Sequence, residues 1–186
     1  MTGGRLIVFS GPSGAGKDSV LEEYFKTEHK GVWKSVSYTT RPARENERDG
    51  IDYNFISVDE FEDNIRNGNV LEYTKYGLNY YGTPKAPVDE HLKKGEIVIL
   101  KIEVNGAANI KKIYPDSVAV FITPPSVEVL EKRLRSRGTE SEEDISRRLE
   151  IALKELENKK NYDHVIINDK LEDAVNDLDR IVRSYQ

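Results

Sequence analysis

The sequence predicts an α/β protein with a parallel central sheet flanked by helices and a smaller lobe inserted into it. Apolar, β-rich runs recur at Leu6–Phe9, Ile97–Ile102, Val118–Ile122 and Val165–Ile167. They are continuous instead of alternating, as strands covered on both faces are. Helical patterns alternate with them, at about 17–28, 107–113, 126–136, 142–160 and 170–184. The region 35–94 stands apart, because its strand-like pieces are short and aromatic.

The first run leads into Gly11-Pro12-Ser13-Gly14-Ala15-Gly16-Lys17, and Val20, Leu21, Tyr24 and Phe25 follow at helical spacing. Strand, glycine-rich loop and helix is the order of a P-loop. Glycines let successive backbone N–H groups turn inward around a phosphate. The helix points its positive end at the same anion, and Lys17 reaches the outer phosphates. Residue 18 is Asp where the motif expects a magnesium-binding Ser or Thr. A carboxylate is a hard oxygen donor and can hold magnesium directly or through water, provided a cation separates it from the phosphates.

In the inserted region, Tyr53-Asn54-Phe55-Ile56 and Leu71-Glu72-Tyr73 read as strands of a small antiparallel sheet. Ser57 and Glu60 have capping-box spacing ahead of Phe61 and Ile65, so a helix starts there. Arg41 and Arg44 lie three apart around Pro42, which predicts an irregular turn. Two guanidinium forks with hydroxyls nearby suit a phosphate monoester; a solvated surface loop is the competing reading. Gly77 and Pro84 mark turns around Tyr80-Tyr81, which can place one ring in the core and one hydroxyl in a cleft. Beyond the arginine-rich piece 133–138, Ser141-Glu142-Glu143-Asp144 is a second capping signal and opens a long helix.

The length of 186 residues suits one domain with a full core. No apolar run approaches the ~18–20 residues that span a bilayer, and no basic region followed by an apolar stretch opens the chain. We therefore expect a cytoplasmic protein without a membrane partner. Cysteine is absent, which removes disulfide and thiol chemistry, and three His make a zinc site improbable. A net charge of −5 argues against a nucleic-acid partner, though not against a small anion in a locally basic pocket.

Taken together, GPSGAGK, SVSYTTRPARENERDGIDYNF, the LEY stretch, NYYGTP, VNGA, PPS, RLRSRGTESEEDISRRL and VIIND resemble the guanylate kinase family, in family order over nearly the whole chain. The resemblance implies a single domain: a core (1–34, 95–125 and 160–186), a GMP-binding lobe (35–94) and a lid region (126–159). It implies ATP and GMP as substrates, Mg²⁺ with the ATP, and a monomer or homodimer. ATP would lie on Gly11, Pro12, Ser13, Gly14, Ala15, Gly16, Lys17, Asp18 and Ser19, with Arg133 and Arg137 over its phosphates and Asn168 near the adenine end. Arg41, Arg44, Tyr53 and Tyr81 would hold the GMP phosphate, while Ser37, Glu72 and Thr83 read the guanine, aided by Glu103. Lys17, Arg41, Arg137 and Arg148 would carry the catalytic charge, and Asp18 the metal.

Two positions depart from the family's pattern. Where it carries Asp-x-Asp, this chain has Lys101 and Glu103. An acid gained at Asp18 and one lost at residue 101 suggest compensation, through an ion pair or through Asp18 taking over magnesium contact. The Gly-Lys-Asp-Ser wording also resembles ribose bisphosphate kinases, and guanylate-kinase-like domains also serve as protein-binding modules. Those two readings stay open at this point.

Overall fold

A computed structural model of the chain describes residues 3–136 and 142–186. Strand β1 (Arg5–Ser10) enters the glycine loop and helix α1 (Lys17–Tyr24), and β2 (Val32–Lys34) follows. Next come β3 (Tyr38–Thr39), β4 (Asn54–Phe55), α2 (Val58–Arg66), β5 (Val70–Tyr76) and β6 (Asn79–Pro84). Helix α3 (Lys85–Lys93) returns the chain to β7 (Ile97–Lys101), then α4 (Val104–Ile113), β8 (Val118–Thr123) and α5 (Val127–Arg135). Helix α6 (Glu142–Leu156) runs into a 3₁₀ turn at Glu157–Asn161, and β9 (His164–Ile167) and α7 (Leu171–Arg183) close the fold.

The central sheet is parallel throughout, in the order β2-β7-β1-β8-β9. Its strands read as unbroken apolar runs because both faces are covered. Ile7 and Phe9 pack with Val20, Leu21 and Tyr24 of α1 and Ala174, Leu178 and Val182 of α7. Leu6 and Val8 face the other way, onto Val88 of α3 and Ala107 and Ile110 of α4. Helices α5 and α6 share a smaller cluster of Leu130, Leu134 and Ala152.

The second sheet, in the order β4-β3-β6-β5, is mixed and not antiparallel as expected. Strands β3 and β4 pair in parallel because the long segment 40–53 lets the chain cross back, which a tight hairpin cannot do. Helix α2 starts as its sequence predicts: Ser57 Oγ accepts the Glu60 N–H, and the Glu60 carboxylate accepts the Ser57 N–H. Ser141 of the second capping signal lies outside the described residues. Helix α1 is shorter than predicted, stopping at Tyr24, and α6 gives way to the 3₁₀ turn at Glu157. Strand β2 and helix α3 were not legible: the first is a half-buried triplet, and the second carries Pro87 in its first turn, where proline is tolerated.

Candidate active site

The parallel register sets Phe9 beside Lys101 and Ser10 beside Phe121, so the glycine loop leaves β1 at the carboxyl edge of the sheet. This is where open α/β sheets bind ligands. The loop is held by packing as well as by its glycines. Gly16 has φ +93°, and a Cβ there would lie 2.3 Å from Asn168 Nδ2. That nitrogen donates to the Ala15 carbonyl at 2.8 Å, so the buried Asn168 props the loop from β9's end. Lys17 folds its ammonium onto the Gly11 carbonyl at 2.5 Å and the Pro12 carbonyl at 3.3 Å. Glu103 stands 3.7 Å from the same nitrogen.

The second cradle lies in the loop after β3. Arg41 donates through both terminal nitrogens to the Glu47 carboxylate, at 2.7 and 2.8 Å, and its guanidinium carbon sits 5.4 Å from the Tyr53 ring centroid. The Arg41 fork holds the Glu47 carboxyl down to about 2, against the opposing effect of burial. Tyr53 meets Tyr81 edge to face, with centroids 6.1 Å apart. Arg44 is exposed and offers its N–H to Glu47 at 2.8 Å. The tyrosine pair divides: half-buried Tyr80 stacks on buried Phe61, and half-buried Tyr81 lies beside Tyr53.

Strand β5 carries a buried carboxylate. Glu72 on β5 is 8% exposed and accepts a hydrogen bond from Thr83 Oγ1 at 2.7 Å. Its other oxygen crowds Gly106, where a Cβ would come within 2.5 Å. Burial pushes the Glu72 carboxyl up, and nearby Glu103 adds to this. Glu103 thus stands between the lysine of the loop and the glutamate of the lobe. Ser37 is half-buried ahead of β3.

The two cradles are also joined by direct contact. Lys101 ion-pairs with Asp18 in the first turn of α1, and its ammonium lies 5.2 Å from the Tyr53 ring centroid. Asp18, Lys101, Tyr53 and Arg41 form one contiguous chain of contacts.

Arg148 of α6 donates to Ser13 Oγ at 2.7 Å, and Arg133 of α5 donates to the Asn168 carbonyl at 2.8 Å. Among the described residues, the buried Arg133 Nη1 and Glu155 Oε2 have no hydrogen-bond partner. Arg137 lies outside the described residues. Sequence reasoning missed Glu47 and Glu155. The first is paired by a loop that has no periodicity. The second follows Arg148 by seven residues, on the same helix face, and that spacing was available as a signal.

Among the described residues no group of three or more carboxylate or imidazole side chains forms a metal cage. Asp18 and Glu103 still fit magnesium, which keeps most of its waters and needs only one or two protein oxygens beside substrate phosphates. No helix among the described residues is long and apolar enough to cross a membrane.

Comparison with known proteins agrees with this arrangement. The guanylate kinase family model matches residues 3–185. A guanylate kinase of Gloeobacter violaceus is 51% identical over 178 residues, covering 96% of this chain and 86% of that protein. One from Carboxydothermus hydrogenoformans is 49% identical over 179 residues, covering 96% and 87%. The crystal structure of guanylate kinase from Anaplasma phagocytophilum has a TM-score of 0.82 to this chain at 31% identity, covering 100% of this chain and 87% of that one. By the extent of these matches, the chain belongs to the guanylate kinase family.

Proposed function

We propose that this chain transfers the γ-phosphoryl group of ATP to GMP, releasing ADP and GDP. The observation that carries the acceptor assignment is the buried Glu72–Thr83 pair. Guanine presents N1–H and N2–H₂ donors to a carboxylate and an O6 acceptor to hydroxyls such as Thr83 and Ser37. Adenine would leave those buried groups unpaired, at a cost of about 1–3 kcal/mol for each.

The donor lies on the loop amides from Gly11 to Ser19 and on Lys17, which turns from the loop carbonyls to the outer phosphates. Arg133, Arg137 and Arg148 close over them, and Asn168 positions the loop beneath the adenosine end. Arg41, Arg44, Tyr53 and Tyr81 hold the acceptor phosphate, with Arg41 released from Glu47 as the phosphate takes its fork. Mg²⁺ with the ATP, held by Asp18 and supported by Glu103, would neutralise phosphoryl charge. A phosphate oxygen of GMP is already ionised, so the nucleophile needs no general base. What remains is alignment and stabilisation of the equatorial oxygens, which the lysine and arginines supply.

Coupled ADP release with GMP, AMP and ribose 1,5-bisphosphate as rival acceptors tests this. We expect release with GMP alone. Release only with the sugar bisphosphate would replace the reading with its relative, and binding without turnover would make the chain a protein-binding module.

A further inference from the structure

Strand β7 ends at Lys101, so this side chain leaves the sheet beside the glycine loop. Its ammonium meets the Asp18 carboxylate on one side and the face of Tyr53 on the other. Arg41 flanks the same ring, 5.4 Å from its centroid, so two cations gather around one phenol. The pair is lopsided: the Lys101 side chain is 23% exposed and that of Asp18 is 62% exposed. A solvated carboxylate is a weak partner, and a desolvated ammonium is costly to keep, so stability does not account for the placement. An anion arriving beside Tyr53 does.

We propose that Lys101 is a further acceptor-phosphate-binding residue: Asp18 holds its ammonium while the acceptor is absent, and the phosphate held by Arg41 takes it over. The inference rests on the reading of GMP as acceptor. A phosphate dianion outbids a single exposed carboxylate, and the four-carbon lysine stem carries the charge a short distance without backbone movement. In that place the ammonium also offsets repulsion between the acceptor phosphate and the phosphoryl group it attacks. Removing Asp18 therefore strengthens acceptor binding, because it removes a competitor. A pair that serves only to fix the fold predicts the opposite sign.

The test is calorimetric titration of GMP, and of guanosine in parallel, without ATP or metal. The proteins are the wild type, Lys101→Met, Lys101→Arg, Asp18→Asn and the double variant Asp18→Asn/Lys101→Met. We expect Lys101→Met to weaken GMP binding by about tenfold or more, the worth of one charged hydrogen bond, and to leave guanosine unchanged. Lys101→Arg retains GMP binding, Asp18→Asn tightens it severalfold, and the double variant matches Lys101→Met. Equal GMP affinity in wild type and Lys101→Met would overturn this inference alone. So would weakening by Asp18→Asn, or a loss of guanosine binding equal to that of GMP. A wild type that does not bind GMP would overturn the acceptor assignment with it.

Discussion

A carboxylate buried to 8% exposure with one hydroxyl hydrogen bond keeps lone pairs to spare, and Glu72 is such a group. Glu72→Gln places a donor where guanine also donates. We expect it to lower kcat/KM for GMP by about 10- to 100-fold, with little change in the KM for ATP. Burial raises the Glu72 pKa, and the ionised form is the one that accepts guanine N–H groups. GMP affinity is therefore lost as pH falls through that raised value, at a higher pH than an ordinary glutamate would give. The GMP phosphate titrates in the same range, so the KM for GMP should climb in acid for both proteins but more steeply in the wild type than in Glu72→Gln; identical profiles would contradict the assignment. In sequence Glu72 resembles any charge on a strand. Its burial comes from the packing of β5 against α4, on contacts too distant along the chain for a local pattern to register.

The elements that hold the site were legible to different degrees, for physical reasons. Strands β1, β7 and β8 announce themselves because burial on both faces demands unbroken apolar runs. The glycine loop does so because its backbone conformation and its closeness to Asn168 require glycine. Gly16→Ala should therefore raise the KM for ATP at least about tenfold, from left-handed strain plus a clash, while circular dichroism stays unchanged. Strand β2 pairs with β7 on the strength of three residues, and the parallel β3–β4 pair depends on a loop path that no periodicity encodes. Helix α7, by contrast, shows its face plainly, with Ala174, Leu178 and Val182 all buried. Truncating fully buried Leu178 to Ala should cost about 2–5 kcal/mol in denaturant unfolding, without altering the active-site contacts.

Across the whole molecule, cations are held in reserve. Lys17 rests on loop carbonyls, Arg41 on Glu47, Lys101 on Asp18, Arg133 on the Asn168 carbonyl and Arg148 on Ser13. We expect substrate phosphates to exchange these internal partners for stronger ones, drawing the segments that carry them together and excluding water. Small-angle scattering should then give a smaller radius of gyration with both nucleotides bound than without. The central claim is that both phosphate cradles open onto one cleft, and an adenosine and a guanosine joined through five phosphates measure it directly by calorimetry. The account predicts one molecule bound per chain, with an affinity far above that of ATP or GMP alone, because the second end binds at high effective concentration. Two molecules per chain, or an affinity no better than that of GMP, would contradict it.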